Sequence, residues 1–214
     1  MAESPSHKFG QLIGNLLEEL IEPFLTEFAS RNGLYLDHQK NSRAARKGKK
    51  VTWEDTYGNL HDLDYVLERG GTDAALGTPV AFIEVAWRRY TKHSRNKAQE
   101  IQGAILPLAE KYQWSNPFLG AVLAGVFSEG SLEQLRSLGF HVLYFSYDSI
   151  VAAFASGKID VVFDESTPDA TFRRCVKQIE KLPASVMQGI KDHLGNANKA
   201  NIDKFVVTLK ERID

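Results

Sequence analysis

The chain holds one cysteine, Cys175, among 214 residues. A single thiol excludes an intrachain disulfide framework and any multi-cysteine zinc site built within one chain. Long hydrophobic runs are also lacking. The longest, Phe118 to Phe127, falls well short of the roughly 20 residues that span a bilayer as a helix. The opening Met-Ala-Glu-Ser-Pro has no charged-then-apolar leader pattern, so a soluble cytoplasmic protein without membrane association is expected. No glycine-rich phosphate cradle is present, because Gly70, Gly71 and Gly77 lack the required spacing. The stretch from Gly125 through Ser128 to Gly130 is one residue off the spacing of a nucleophile elbow. What remains is 43% hydrophobic and 25% charged, the composition of an ordinary globular protein. A chain of this length buries about 70% of its unfolded surface and needs no covalent staple.

The formal net charge of −1 conceals an uneven distribution. Lys40 to Lys50 carries six cations (Lys40, Arg43, Arg46, Lys47, Lys49 and Lys50) and no acid. Arg88 to Lys97 carries five (Arg88, Arg89, Lys92, Arg95 and Lys97), again without an acid. The rest of the chain has 15 cations against all 27 acids. Two basic segments on an acidic body are an electrostatic footprint for a polyanion.

Hydrophobic spacing predicts a helix from about Phe9 to Phe28, closed by Asn32-Gly33. Strands follow at Val51 to Tyr57, Leu63 to Leu67 and Pro79 to Trp87, the last almost wholly apolar. A second helix starts near Ser94, and Pro107 is expected to kink it or end it early. Strands at Phe118 to Phe127 and His141 to Phe145 alternate with helices at Ser131 to Leu138 and Ser149 to Ala155. Beyond Asp164 three further helices are predicted, the first with Thr167 as its N-cap. The expected class is α/β, a mixed central sheet flanked by helices with a C-terminal helical extension. One domain over residues 1–214 is expected, its core about 9–157 and its helical region about 165–214.

Asp64 opens one predicted strand and Glu84 interrupts the next. Neighbouring strands would present both carboxylates at one sheet edge, where they repel unless a cation sits between them. Hard divalent cations such as Mg²⁺ take oxygen ligands of this kind. Metal-binding acids followed by Arg88 to Lys97 suit a phosphodiester substrate. Lys97 lies on the inward stripe of the second helix, at its N-terminal end. Arg88 shares the strand parity of Glu84.

These residues resemble the PD-(D/E)xK nuclease superfamily, in particular type II restriction endonucleases. The resemblance covers roughly Gly14 to Phe145. It rests on an acidic first helix (Gly14-Asn-Leu-Leu-Glu-Glu-Leu), on Asp64 in Asp-Leu-Asp-Tyr-Val-Leu and on Glu84 in Phe-Ile-Glu-Val-Ala-Trp. It implies a restriction-endonuclease-like core of helix, three-strand meander, helix and strand. It also implies Mg²⁺-dependent hydrolysis of double-stranded DNA, leaving 5′-phosphate ends. Asp64 and Glu84 would be the metal ligands, and Glu18 would match the acid carried on the first helix, a place that helix geometry equally permits Glu19. The family's lysine should stand two residues after Glu84, where this chain has Ala86, and its proline is replaced by Leu63. Lys97 is the expected substitute for that lysine, with Arg88 and Lys92 behind it. If none serves, the chain would be a non-cleaving DNA-binding relative; a structure-specific repair or recombination nuclease is a third reading.

Lys40, Arg43, Arg46, Lys47, Arg88, Arg89, Lys92 and Arg95 are the expected DNA contacts, with Arg43 and Arg46 able to read guanine edges. Cutting both strands symmetrically calls for two active sites, hence a homodimer, with the C-terminal helices as the candidate contact.

Overall fold

The computed structural model describes residues 4–46, 48–90 and 94–213. Helix α1 (Pro5–Arg31) is followed by strands β1 (Leu34–His38), β2 (Val51–Glu54), β3 (Leu60–Leu63), β4 (Tyr65–Arg69) and β5 (Thr78–Arg88). Then come α2 (Ser94–Lys111), β6 (Phe118–Gly125), α3 (Glu129–Ser137), β7 (His141–Ser146) and α4 (Tyr147–Ser156). The chain ends in α5 (Asp169–Glu180), α6 (Ala184–Ala197) and α7 (Lys199–Ile213).

The α/β expectation agrees with this architecture. Five strands form a mixed sheet in the order β1-β4-β5-β6-β7. β1, β4 and β5 are antiparallel neighbours, whereas β5, β6 and β7 run parallel. Parallel strands need crossovers, and α2 and α3 supply them. Alternation along β5 divides two apolar layers. Ala81, Ile83 and Trp87 pack with α1 and the C-terminal helices. Phe82 and Ala86 pack with Ala98 and Ile101 of α2.

Several boundaries differ from expectation. The predicted strand across Leu63 to Leu67 is two strands broken at Asp64. β3 pairs with β2 in a separate two-stranded sheet, and β4 joins the main sheet. Asp64 therefore stands at the junction of the two sheets. Strand β1 has no signal in the apolar pattern because its first three residues are only half-buried. Pro107 lies inside α2, which continues to Lys111. Buried Ile105 and Leu108 flank it and hold both halves of the helix against the sheet, and that packing outweighs the lost hydrogen bond. Pro168, not Thr167, is the N-cap of α5; the Thr167 hydroxyl instead accepts from the Asp164 backbone N–H at 2.9 Å. The C-terminal helices bury their apolar stripes within the chain. Phe172, Ile179, Leu194, Phe205 and Leu209 share a core with α1 and β6, so those stripes are not free to form the expected dimer contact.

The loop after β1 departs furthest from its sequence reading. The Arg43 side chain is completely inaccessible. Its guanidinium donates to Glu68 at 2.5 and 3.0 Å, to Asp37 at 2.6 Å, and to the carbonyls of Thr72 and Ala75. Arg46 donates to the same Asp37 and to the Thr52 carbonyl, and its guanidinium lies 5.7 Å from the centre of the Trp53 ring. Neither arginine is available to read a base edge. A guanidinium and two carboxylates buried together are tolerated because they neutralise and hydrogen-bond one another, and here they tie the basic loop to β1, β4 and the turn before β5. Replacing Arg43 with methionine leaves Asp37 and Glu68 buried with their main partner lost. Urea unfolding is expected to show a loss of about 3–5 kcal/mol, and a loss below about 1 kcal/mol would contradict this account.

Candidate active site

Register places the two sequence-flagged acids together. Tyr65 of β4 pairs with Ile83 of β5, so Asp64 falls beside Glu84 as the strands approach the junction. An Asp64 carboxylate oxygen accepts from the Val85 backbone N–H at 2.7 Å. Glu84 is 9% exposed within the central strand. Burial pushes its carboxyl above the usual range and the Asp64 charge pushes it further, while Lys97 and the Asp64 backbone N–H pull it back only in part. Burial likewise raises Asp64, against the Val85 hydrogen bond and Lys97. These are two acids whose ionised forms lack sufficient compensation from the protein.

Lys97 comes from the first turn of α2, one residue before Ala98, which packs against β5. Ala86 occupies the same strand face as Glu84 and is buried in that packing. The cation near Glu84 is thus delivered by the helix lying over the strand. Lys97 Nζ and the Arg88 guanidinium both lie 3.4 Å from Glu100. Glu100 was not singled out from sequence. Its only signal is the i,i+3 spacing to Lys97, which is common on solvated helices.

Glu18 of α1 also senses the site. Burial and then the Asp64 charge raise its carboxyl, opposed by Lys40 and a hydrogen bond with Gln39. Helix geometry left Glu18 and Glu19 open; Glu19 pairs with Lys191 of α6 at 3.2 Å. Lys40 lies 2.8 Å from Glu22 and 3.9 Å from Glu18, linking the basic loop to the acidic cluster. Asp62 is engaged by Lys50 and Thr52 on the outer hairpin.

An open cleft of about 680 Å³ lies beside Lys97. The first helix contributes His7, Gly10 and Gly14 to it, and Arg88, Arg89 and Asn96 line the opposite side. Gly14 leaves room there, since a Cβ at that position would meet nothing within 4 Å. Gly125 shapes the far end of β5. Its φ of +97° turns the chain, and a Cβ would run into the Arg88 carbonyl oxygen. The Val126 backbone N–H donates to that oxygen at 2.7 Å, so the end of β5 is held where Arg88 enters the cleft wall. Arg89 is half-buried, with its guanidinium 4.2 Å from the ring centres of both Tyr90 and Phe172. Arg95 is exposed in the first turn of α2. Lys47 and Lys92 lie outside the described residues.

The donor set fits a hard divalent cation. Asp64 and Glu84 offer oxygen ligands, and burial leaves both in need of positive charge. Among the described residues, no three His, Cys, Asp or Glu side chains converge into a metal-holding group. An ion bound here would complete its shell with water or substrate oxygens, as Mg²⁺ sites commonly do. Among the described residues, no helix is long and apolar enough to cross a membrane.

No protein-family model matches the chain, and no curated protein is similar to it. A solved structure described as a protein of unknown function, AF1548, aligns with 92% of this chain and 94% of its own. The identity is 11% and the TM-score 0.39. Likeness at that level assigns neither fold family nor function.

The raised carboxyls set the pH dependence of stability. A group whose folded value lies above its unfolded value contributes stability that is full below the unfolded value, about 4.3 for glutamate. That contribution is lost as pH rises through the folded value. Without divalent cation, the wild-type chain is expected to lose stability relative to Glu84→Gln between about pH 5 and 8, at up to about 1.4 kcal/mol per pH unit. Urea unfolding across that range checks this, and parallel curves for the two proteins would contradict it.

Proposed function

We propose that the chain is a divalent-metal-dependent endonuclease acting on double-stranded DNA, of the type II restriction class that its motifs resemble. The observation that carries this reading is the meeting of Asp64, Glu84 and Lys97. They come from a sheet junction, a central strand and a crossover helix, yet the Asp64 charge raises Glu84 and the Lys97 charge lowers both acids. Structural ion pairs that serve only the fold have their charges matched, as those of Arg43 do. Here two carboxylates share one lysine, and both stay raised.

Asp64 and Glu84 would hold Mg²⁺, which when bound neutralises charge on the scissile phosphate and lowers the pKa of a coordinated water. The chain's own residues supply position and charge. Lys97 lines the cleft and acts on both acids, and its ammonium would hold a phosphate oxygen or orient the attacking water. Arg88, half-buried on the cleft wall, is placed to grip a neighbouring phosphate. Water oxygen adds to phosphorus and the bond to the 3′ oxygen breaks, leaving a 5′-phosphate and a 3′-hydroxyl. Glu18, raised by burial and by Asp64, borders the acids from α1 and is a positioning residue. A two-site assembly for symmetric cutting would use a face other than the buried stripes of the C-terminal helices.

Incubation with plasmid and phage DNA at low salt, with and without Mg²⁺, tests the reading. Discrete Mg²⁺-dependent fragments are expected from the wild type and none from Glu84→Ala. Lys97→Ala is expected to slow cleavage by about 10²–10³-fold. Undiminished cutting by Glu84→Ala would overturn the assignment. Salt-sensitive binding without cleavage would support the non-catalytic DNA-binding module suggested by Ala86. Preference for branched over linear DNA would move the substrate to a repair intermediate.

A further inference from the structure

Helix α5 carries a charge pattern that neither the fold nor the candidate active site uses. Its inner face, Phe172, Cys175, Val176 and Ile179, is buried. Its outer face presents Arg173, Arg174, Lys177 and Lys181, all exposed. These four line a shallow groove of about 440 Å³ with Ala170 and Gln178, and no acid is among its lining residues. Among the described residues, no salt bridge engages any of the four. Glu180, the acid nearest the C-terminal end of the stripe, is held by Lys8 of α1 at 2.5 Å.

This differs from the other surface helices. Lys97 has Glu100, Arg136 has Glu133 and Lys199 has Asp203, each an i,i+3 or i,i+4 pair of opposite sign. On α5 the outer-face cations fall at those spacings from one another, Arg173 with Lys177, Arg174 with Lys177 and Lys177 with Lys181, while Asp169, four before Arg173, and Glu180, three after Lys177, close no salt bridge with them among the described residues. Such like-charged pairs destabilise an isolated helix, and a polyanion lying along the stripe relieves that repulsion.

Helix α5 packs against a residue that lines the cleft wall. Phe172, next to Arg173, sits under the Arg89 guanidinium, and Arg89 lines the cleft beside Lys97. Arg89 Nη1 is buried there without a hydrogen-bond partner. From Arg173 to Lys181 the helix advances about 12 Å. That length matches about three phosphates of one strand, spaced about 3.4 Å along a duplex axis.

We propose that the outer face of α5 is a second DNA contact, binding the phosphate backbone of the duplex arm that extends beyond the cleft. It rests on the reading of the cleft as a DNA site, and it adds a surface that contributes affinity without base readout. The occupant is duplex DNA because the stripe is straight, cationic and free of aromatic side chains on which unpaired bases would stack.

The test is anisotropy of a fluorescein-labelled 30-base-pair duplex titrated with the full chain across a series of KCl concentrations. Arg173→Glu with Lys177→Glu is compared with the wild type and with Lys204→Glu and Lys210→Glu, an equal charge change on exposed positions of α7. Circular dichroism melting confirms that all three fold. The α5 variant is expected to bind at least about tenfold more weakly at low salt, with a log-log salt slope shallower by about 1.8 units. The α7 variant is expected to change far less. Equal weakening of both variants, or an unchanged salt slope for the α5 variant, would overturn the proposal. Vesicles rich in phosphatidylserine form a parallel arm: loss of vesicle binding with retained DNA binding in the α5 variant would reassign the stripe to an anionic membrane surface. Wild-type protein that binds DNA through α5 and never cleaves it leaves this proposal standing and removes the nuclease reading. Wild-type protein with no affinity for DNA removes both.

Discussion

The carboxylate of Glu84 lies in the interior of β5, a strand with neighbours on both sides and an apolar layer on each face. A lone ionised carboxylate there costs several kcal/mol, and the surrounding structure is arranged around that cost without removing it. The break between β3 and β4 sets Asp64 beside it, and α2 crosses the same face with Lys97 in its first turn. One ammonium against two carboxylates leaves a deficit of positive charge at the sheet junction. That deficit, with burial, explains the raised carboxyls and the fit to a hard divalent cation. Glu18 extends the same balance into α1, where Lys40 in turn links it to the basic loop.

The second buried cluster makes a useful contrast. Around Arg43 the carboxylates of Asp37 and Glu68 meet two guanidinium groups and nearby backbone groups, so charge and hydrogen bonds are nearly closed. It anchors the loop after β1 to the sheet and leaves no reactive group exposed. The two clusters occupy one sheet and draw on the same residue types. One has its charges matched and serves the fold; the other is under-compensated, and its lysine, Lys97, lines a cleft. Perturbed acids beside a concave surface are candidates for chemistry for that reason.

Charge outside the core follows the same logic. In the C-terminal helices Glu180 and Asp203 are paired with lysines, whereas the outward face of α5 carries four cations that no acid engages among the described residues. Its inward face belongs to the core it shares with α1, so the stripe is carried by a rigid element. Arg89, which lines the cleft with Lys97 and Arg88, packs on Phe172 of α5, the residue before Arg173.

Asp64, Glu84 and Lys97 were legible in the sequence because each breaks a local rule. An acid interrupts an apolar strand, another opens its neighbour, and a lysine falls on a helix's inward stripe. Order and periodicity likewise indicated α1, β5 to β7 and the three C-terminal helices. Partners distant along the chain were not legible. Arg43 and Arg46 read as DNA contacts able to reach guanine edges because nothing local shows that Asp37 and Glu68 will close around them. The choice of Glu18 over Glu19 depended on which acid meets Asp64 across the fold and which meets Lys191. The division of Leu63 to Leu67 between two sheets depended on strand partners well separated along the chain, Val51 for Leu63 and both His38 and Ile83 for Tyr65. Local pattern determines which residues must be buried, because burial follows the period of the backbone; whether a buried charge finds its counter-charge is decided only when the elements pack.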